Sequence, residues 1–181
     1  PARKKFLKSA MTEAGYISEL MERMALSHPE VSFKFIAGSQ VKLHTSGNHR
    51  LKDIIYNIYG RDITNNLLEV EKTFENGMKI TGFIGKPVIS RGNRNFENYF
   101  VNGRYIKSKI ISKAIEDAYQ SFMMKHKYPF TVLHFQIDTE MLDINVHPTK
   151  MELRFAENEK LYQPNDGLHF GKEGYMKLAQ I

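Results

Sequence analysis

The residues best suited to chemistry in this chain of 181 residues gather in three places. Asp143, Asn145 and His147 alternate along an extended stretch that breaks at Pro148, and Lys150 follows directly after the break. Alternation puts the first three on one strand face, as in a metal or acid–base site, yet one carboxylate, one amide and one imidazole make a poor ligand set. A structural role fits them better. Lys150 falls in an exposed loop, and exposed lysines are ordinary. The second place is Lys86 to Lys113, which carries Lys86, Arg91, Arg94, Arg104, Lys107, Lys109 and Lys113 against Glu97 alone. Such a run either tracks phosphates or solubilises an edge. The third is Asp166-Gly167-Leu168-His169 near the end, an Asp/His pair with no Gly-Asp-Ser block upstream to supply a nucleophile.

Composition sets the outer limits. At 41% hydrophobic and 25% charged, the chain is that of an ordinary globular protein and not a disordered one. No apolar run has the roughly 18–20 residues of a membrane helix. The absence of cysteine excludes disulfides and thiolate metal sites and favours an intracellular protein. A net charge of +6 permits a nucleic-acid partner without requiring one. The start on Pro1-Ala2-Arg3-Lys4-Lys5, without initiator Met or signal peptide, suggests a piece of something longer.

The elements that must position these residues follow from periodicity. Pro1 suits a first helical turn, and Phe6, Ala10, Ala14, Ile17, Leu20, Met21 and Met24 recur at helical spacing up to His28-Pro29. The run Arg3-Lys4-Lys5 with Lys8 is a solvated end or an anion contact. A hairpin is expected over Val31–Leu43, turning at Ala37-Gly38-Ser39, and a short amphipathic helix over Leu51–Ile58, stopping at Gly60. Asn76-Gly77 predicts a second hairpin with a type I′ turn, and Asn102-Gly103 a tight turn between strand and helix start. A helix from about Lys107 should bury Ile110, Ile111, Ala114, Ile115, Ala118, Tyr119 and Phe122, with Lys109, Lys113 and Glu116 on the opposite face. Arg91–Asn95 reads as a mobile polar loop. Thr131, Leu133, Phe135 and Ile137 form a half-buried strand, followed by strands at Leu142–Val146 and from Met151.

Several of these stretches, in this order, resemble the MutL family of DNA mismatch repair proteins. The match rests on Pro1-Ala2-Arg3-Lys4-Lys5-Phe6-Leu7, on Tyr99-Phe100-Val101-Asn102-Gly103-Arg104 and on Val146-His147-Pro148-Thr149-Lys150-Met151-Glu152-Leu153-Arg154-Phe155. It covers roughly residues 1–162. The resemblance implies a transducer domain of the gyrase–Hsp90–histidine-kinase–MutL superfamily. Its fold is α+β, a mixed sheet with helices on one side and a left-handed βαβ crossover, like the second domain of a ribosomal protein. It divides the chain into 1–28, the last helix of an ATPase domain; 29–162, the transducer; and 163–181, a divergent tail.

The resemblance also implies roles. Lys150 matches the family lysine that contacts the ATP γ-phosphate, a flexible point charge suited to that task. Lys109 matches a basic DNA-binding position, with Lys113, Lys107, Arg104 and Arg94 as weaker nominees; Arg104 could instead partner a buried carboxylate. ATP and Mg belong to the full-length protein, whose metal-binding and glycine-rich ATP motifs have no counterpart here, so the piece alone should not hydrolyse ATP. Implied partners are sequence-independent DNA, the mismatch-recognition protein MutS, the sliding clamp and a second MutL subunit, with no membrane, in the bacterial cytoplasm at the nucleoid. A transducer of a topoisomerase or chaperone relative, or a stand-alone basic nucleic-acid-binding domain, are the alternatives. The tail resembles the Asp/His block of GDSL-type (SGNH) hydrolases, but with no serine to activate it reads as a foreign extension.

Overall fold

The computed structural model describes residues 7–138, and the backbone of 142–143 and 154–155. The chain divides into two units, Pro1–Asn65 and Asn66–Ile181. The expected boundary at residue 28 falls inside the first of them.

In the first unit, helix α1 spans Ala10–Ser27, with Ser9 as its N-cap accepting from the Thr12 amide. Residues 7–9 are not helical, and the expected first turn at Pro1 lies outside the described residues. Only the last turn of α1 is buried, through Ala25, Leu26 and Ser27. Much of the apolar stripe before it is exposed: Ile17 is 50%, Leu20 56% and Met24 42% accessible. The partners of that last turn are small, a hairpin of β1 (Lys34–Ala37) and β2 (Gln40–His44), and α2 (Leu51–Tyr59). They cover one end of an 18-residue helix about 27 Å long and no more. The hairpin closes through Gly38-Ser39, as expected. Thr45 locks its base, its hydroxyl accepting from the Phe33 amide and donating to the Val31 carbonyl. Helix α2 ends at Gly60 as predicted, and a single turn, α3 (Arg61–Thr64), follows.

The second unit is a five-stranded sheet in the order β3-β4-β7-β5-β6, formed by Leu67–Thr73, Lys79–Gly85, Thr131–Gln136, Glu97–Val101 and Arg104–Ile106. All pairs are antiparallel except β5 and β7, which run parallel and are joined through β6 and helix α4 (Lys109–Tyr119). The sheet is therefore mixed. Strand β7 is central, so it buries Thr131, Val132 and Leu133 in succession and is not the half-buried strand its alternation suggested.

Helix α4 lays Ile111, Ile115 and Tyr119 on a core of Val70, Ile80, Ile84, Tyr99, Val101, Ile106, Leu133 and Phe135. The Tyr119 hydroxyl donates to the Gly85 carbonyl at 2.7 Å and pins the far end of the helix to β4. The stripe is narrower and shorter than expected: Ile110, beside the Ile111–Ile115–Tyr119 line, and Phe122, past the end of the helix, are each 55% exposed.

The two Asn-Gly turns differ. At Asn102-Gly103 both φ values are positive, 47° and 77°, and the turn leads not into the expected helix start but into a two-residue hairpin, with β6 running back along β5. Between Thr73 and Lys79 the loop is five residues long; Gly77 alone turns left-handed and Asn76 accepts from the Met78 amide. The hairpin is present there, but the type I′ turn is not. Beyond β7, β8 (Leu142–Asp143) pairs antiparallel with β9 (Arg154–Phe155), joining Leu142 to Phe155 and Asp143 to Arg154.

Candidate nucleic-acid interface

Helix α4 separates the predicted basic residues into two groups. At its N-terminal end Arg104 lies on β6, Lys107 follows it, Ser108 caps the helix and Lys109 is its first residue. All three cations are exposed, and no acidic residue occupies the first turn. The helix dipole is positive there, so these charges gain nothing from the helix they adjoin and together form an anion-attracting end. Ile110, beside Lys109, adds an exposed apolar surface. Lys113 lies one turn on, with its Nζ 2.6 and 2.8 Å from the two Asp117 carboxylate oxygens. Part of its charge is thereby spent within the helix.

Arg94 belongs to the other group. Its Nε and Nη2 donate to Glu116 at 2.5 and 3.0 Å, and its guanidinium sits 4.3 Å from the Tyr128 ring centroid. Glu116 holds the guanidinium pKa still further above its usual value. The expected mobile polar loop is tied down at both ends: Arg94 clamps it to α4, and Arg91 exchanges two backbone hydrogen bonds with Tyr128, at 2.9 and 2.8 Å. Glu116 was expected on the free face with Lys109, but it serves this clamp. A half-exposed pair of this kind contributes at most about 1 kcal/mol, so its role is to orient the loop. Arg104 makes no ion pair with a carboxylate among the described residues.

The buried carboxylate is Glu97, which sequence reading passed over as the one acid in a basic run. It is 6% exposed at the start of β5, with the Tyr99 hydroxyl donating to it at 3.2 Å. Burial pushes its carboxyl up to about 7; nearby Glu116 adds to the rise, and the Ser112 and Tyr99 hydroxyls and the Arg94 cation pull the other way. The unfolded chain would ionise near the ordinary 4.5, so folding holds a proton there between that value and about 7. Stability from this group is therefore present below pH 4.5 and lost as pH rises to about 7. Glu97→Gln, which keeps a neutral side chain of the same shape, is expected to match the parent near pH 4 and exceed it at pH 8, by up to about 3 kcal/mol. Urea unfolding at the two pH values measures the difference; equal stabilities at pH 8 would rule out the neutral buried carboxyl.

Lys150 lies outside the described residues, as do Asn145, His147 and the Asp166/His169 pair. Among the described residues no group of three His, Asp or Glu side chains could hold a metal ion. No described helix is long and apolar enough to cross a membrane.

Residues 55–164 match the family described as DNA mismatch repair protein, C-terminal domain. The chain is 64% identical over 162 residues to the DNA mismatch repair protein MutL of Agathobacter rectalis, covering 90% of this chain and 25% of that protein. It is 42% identical over 163 residues to MutL of Clostridium botulinum, covering 90% and 24%. The chain thus spans about a quarter of the length of the curated relatives it matches. Two solved structures share the fold. One, described as the N-terminal domain of a DNA repair protein, has a TM-score of 0.71 at 16% identity over 88% of this chain and 53% of that one. The other is the Aquifex aeolicus MutL ATPase domain complexed with ADP, with a TM-score of 0.56 at 22% identity over 76% and 48%. With the mixed sheet, the parallel β5–α4–β7 unit and the matched segment in agreement, the chain belongs to the MutL family of DNA mismatch repair proteins.

Proposed function

We propose that this chain is the transducer region of a MutL protein, coupling ATP binding and hydrolysis in an adjacent ATPase domain to DNA and partner binding. The observation that carries the DNA half is the cluster of Arg104, Lys107 and Lys109 at the positive end of α4, with no acid in the first turn. Nothing in it reads bases, so contact is with the phosphate backbone and independent of sequence. Lys113 adds a weaker charge. Arg94, clamped to Glu116, shapes the loop before it contacts anything.

In the same reading Lys150 supplies a positive charge to the γ-phosphate of ATP, and the chain by itself is not an enzyme. Mg and ATP are held elsewhere in the whole protein. The exposed stripe Ile17–Leu20–Met24 suits α1 as the last helix of the ATPase domain, with residues 29–162 as the transducer and 163–181 a divergent tail. MutS, the sliding clamp and a second MutL subunit are the partners this role implies, at the nucleoid of a bacterial cytoplasm.

The test is salt-dependent binding of duplex DNA to this chain. Lys109→Glu is expected to weaken binding about tenfold and to flatten the log-affinity against log-salt slope by about one. Lys150→Ala should leave DNA binding by the chain unchanged. If both substitutions weaken it equally, Lys150 belongs to the DNA surface and the coupling role fails.

A further inference from the structure

The end of α4 remote from Lys109 carries a surface that the DNA reading does not use. Three of the four large hydrophobic side chains most exposed within 66–138 lie there: Met124 at 80%, Val88 at 76% and Phe122 at 55%. Hydrogen bonds tie together the two segments that carry them, 85–91 and 119–128. The Tyr119 hydroxyl reaches the Gly85 carbonyl, two residues before the 3-10 turn Pro87–Ile89 that presents Val88. The Phe122 amide donates to the Tyr119 carbonyl at 2.9 Å, and the Arg91–Tyr128 bridge closes the other side. Between them Met124 to Lys127 form a turn, with Lys127 N–H bonded to the Met124 carbonyl and His126 held at φ 63°. That turn carries Met124, Lys125 and Lys127, all exposed.

The charge around this apolar rim has one sign. Neither residues 86–96 nor 118–130 contain Asp or Glu, while they contribute Lys86, Arg91, Arg94, Lys125 and Lys127. The nearest acids on α4 are engaged, Glu116 by Arg94 and Asp117 by Lys113. Arg91 lies over the Phe96 ring at 5.2 Å, while Lys86, Lys125 and Lys127 are exposed. Aliphatic groups this exposed, mixed with point charges, do not suit a phosphate backbone, which would leave Val88 and Met124 wet. They suit a surface that is itself apolar and carboxylate-bearing, and methionine adapts readily to such partners.

We propose that this rim docks an acidic, apolar segment of a partner protein, with Val88, Phe122 and Met124 taking its hydrophobic side chains and Lys125 and Lys127 its carboxylates. The site lies about 16 Å, the length of the 11-residue α4, from the cluster at Lys109, so it can be filled independently of DNA.

The probe is a short fluorescein-labelled peptide of alternating glutamate and leucine ending in phenylalanine, titrated with this chain and followed by anisotropy. Saturable binding is expected. A glutamine-for-glutamate twin should bind about tenfold more weakly, as should the double variants Val88→Ser/Met124→Ser and Lys125→Glu/Lys127→Glu toward the parent peptide. Lys72→Glu, on the edge strand β3, should stay within about twofold. Each altered side chain is exposed, and unchanged urea midpoints would confirm that folding is intact. Absence of saturable binding, equal binding of the glutamine twin, or displacement of the peptide by duplex DNA would each overturn the proposal, the last by making the rim a nucleic-acid surface.

Discussion

In the full-length protein, Lys150→Ala is expected to lower ATP turnover about a hundredfold while ATP binding changes much less. A positive charge at the γ-phosphate matters most as negative charge builds on the transferred group, so its loss falls mainly on the chemical step. Arginine at the same position should recover little. Its planar fork prefers two oxygens at a set angle, whereas lysine offers a compact charge on a flexible stem. Single-turnover hydrolysis beside nucleotide-binding titration separates the two effects. Unchanged turnover would remove Lys150 from the reaction and leave this chain as a DNA-binding and scaffolding region. Loss of nucleotide binding in proportion to turnover would instead assign it to ground-state affinity.

Gly82→Ala is expected to unfold the second unit, through the backbone and not through any lost contact. Gly82 lies in β4 between two neighbours, paired with Val70 on β3 and Leu133 on β7. Its φ is +132°, a conformation L side chains rarely adopt, and an added Cβ would meet the Val132 carbonyl oxygen at 2.1 Å. That oxygen belongs to the central strand, so relief requires separating β4 from β7 in the middle of the sheet. The loss should exceed about 4 kcal/mol, comparable to much of a small domain's stability. Gly92→Ala is the control: nothing lies within 4 Å of a Cβ there, and its backbone is not left-handed. It should change stability by less than about 0.5 kcal/mol. Urea denaturation followed by far-UV circular dichroism measures both. A Gly82→Ala protein unfolding within about 1 kcal/mol of the parent would show that β4 and β7 can part locally at low cost.

Periodicity and turn chemistry in the sequence determined where most elements lie, because those signals are local. Gly60 ends α2, α4 begins within two residues of the expected Lys107, and Asn102-Gly103 makes a tight turn, although into a strand and not a helix. The ordered motifs around Arg104 and Lys150 also identified the family from the sequence alone. What is decided by neighbours distant in sequence was not legible. The α1 stripe recurs at helical spacing along its whole length, yet the hairpin and α2 cover only its last turn. The strand at Thr131 alternates as if one face were open, but between β4 and β5 it buries Thr131, Val132 and Leu133 in succession.

The candidate site divides in the same way. Seven cations between Lys86 and Lys113 read as one basic surface. The fold engages Arg94 with Glu116, 22 residues away, and leaves Lys109 at the opposite end of the helix. Glu97 shows the limit most plainly. In sequence it is the lone acid of a basic run, while in the structure it is a buried carboxyl raised to about 7. Charge is a property of a residue, but its protonation and its partners are set by solvent exposure and by groups that only the tertiary structure brings near.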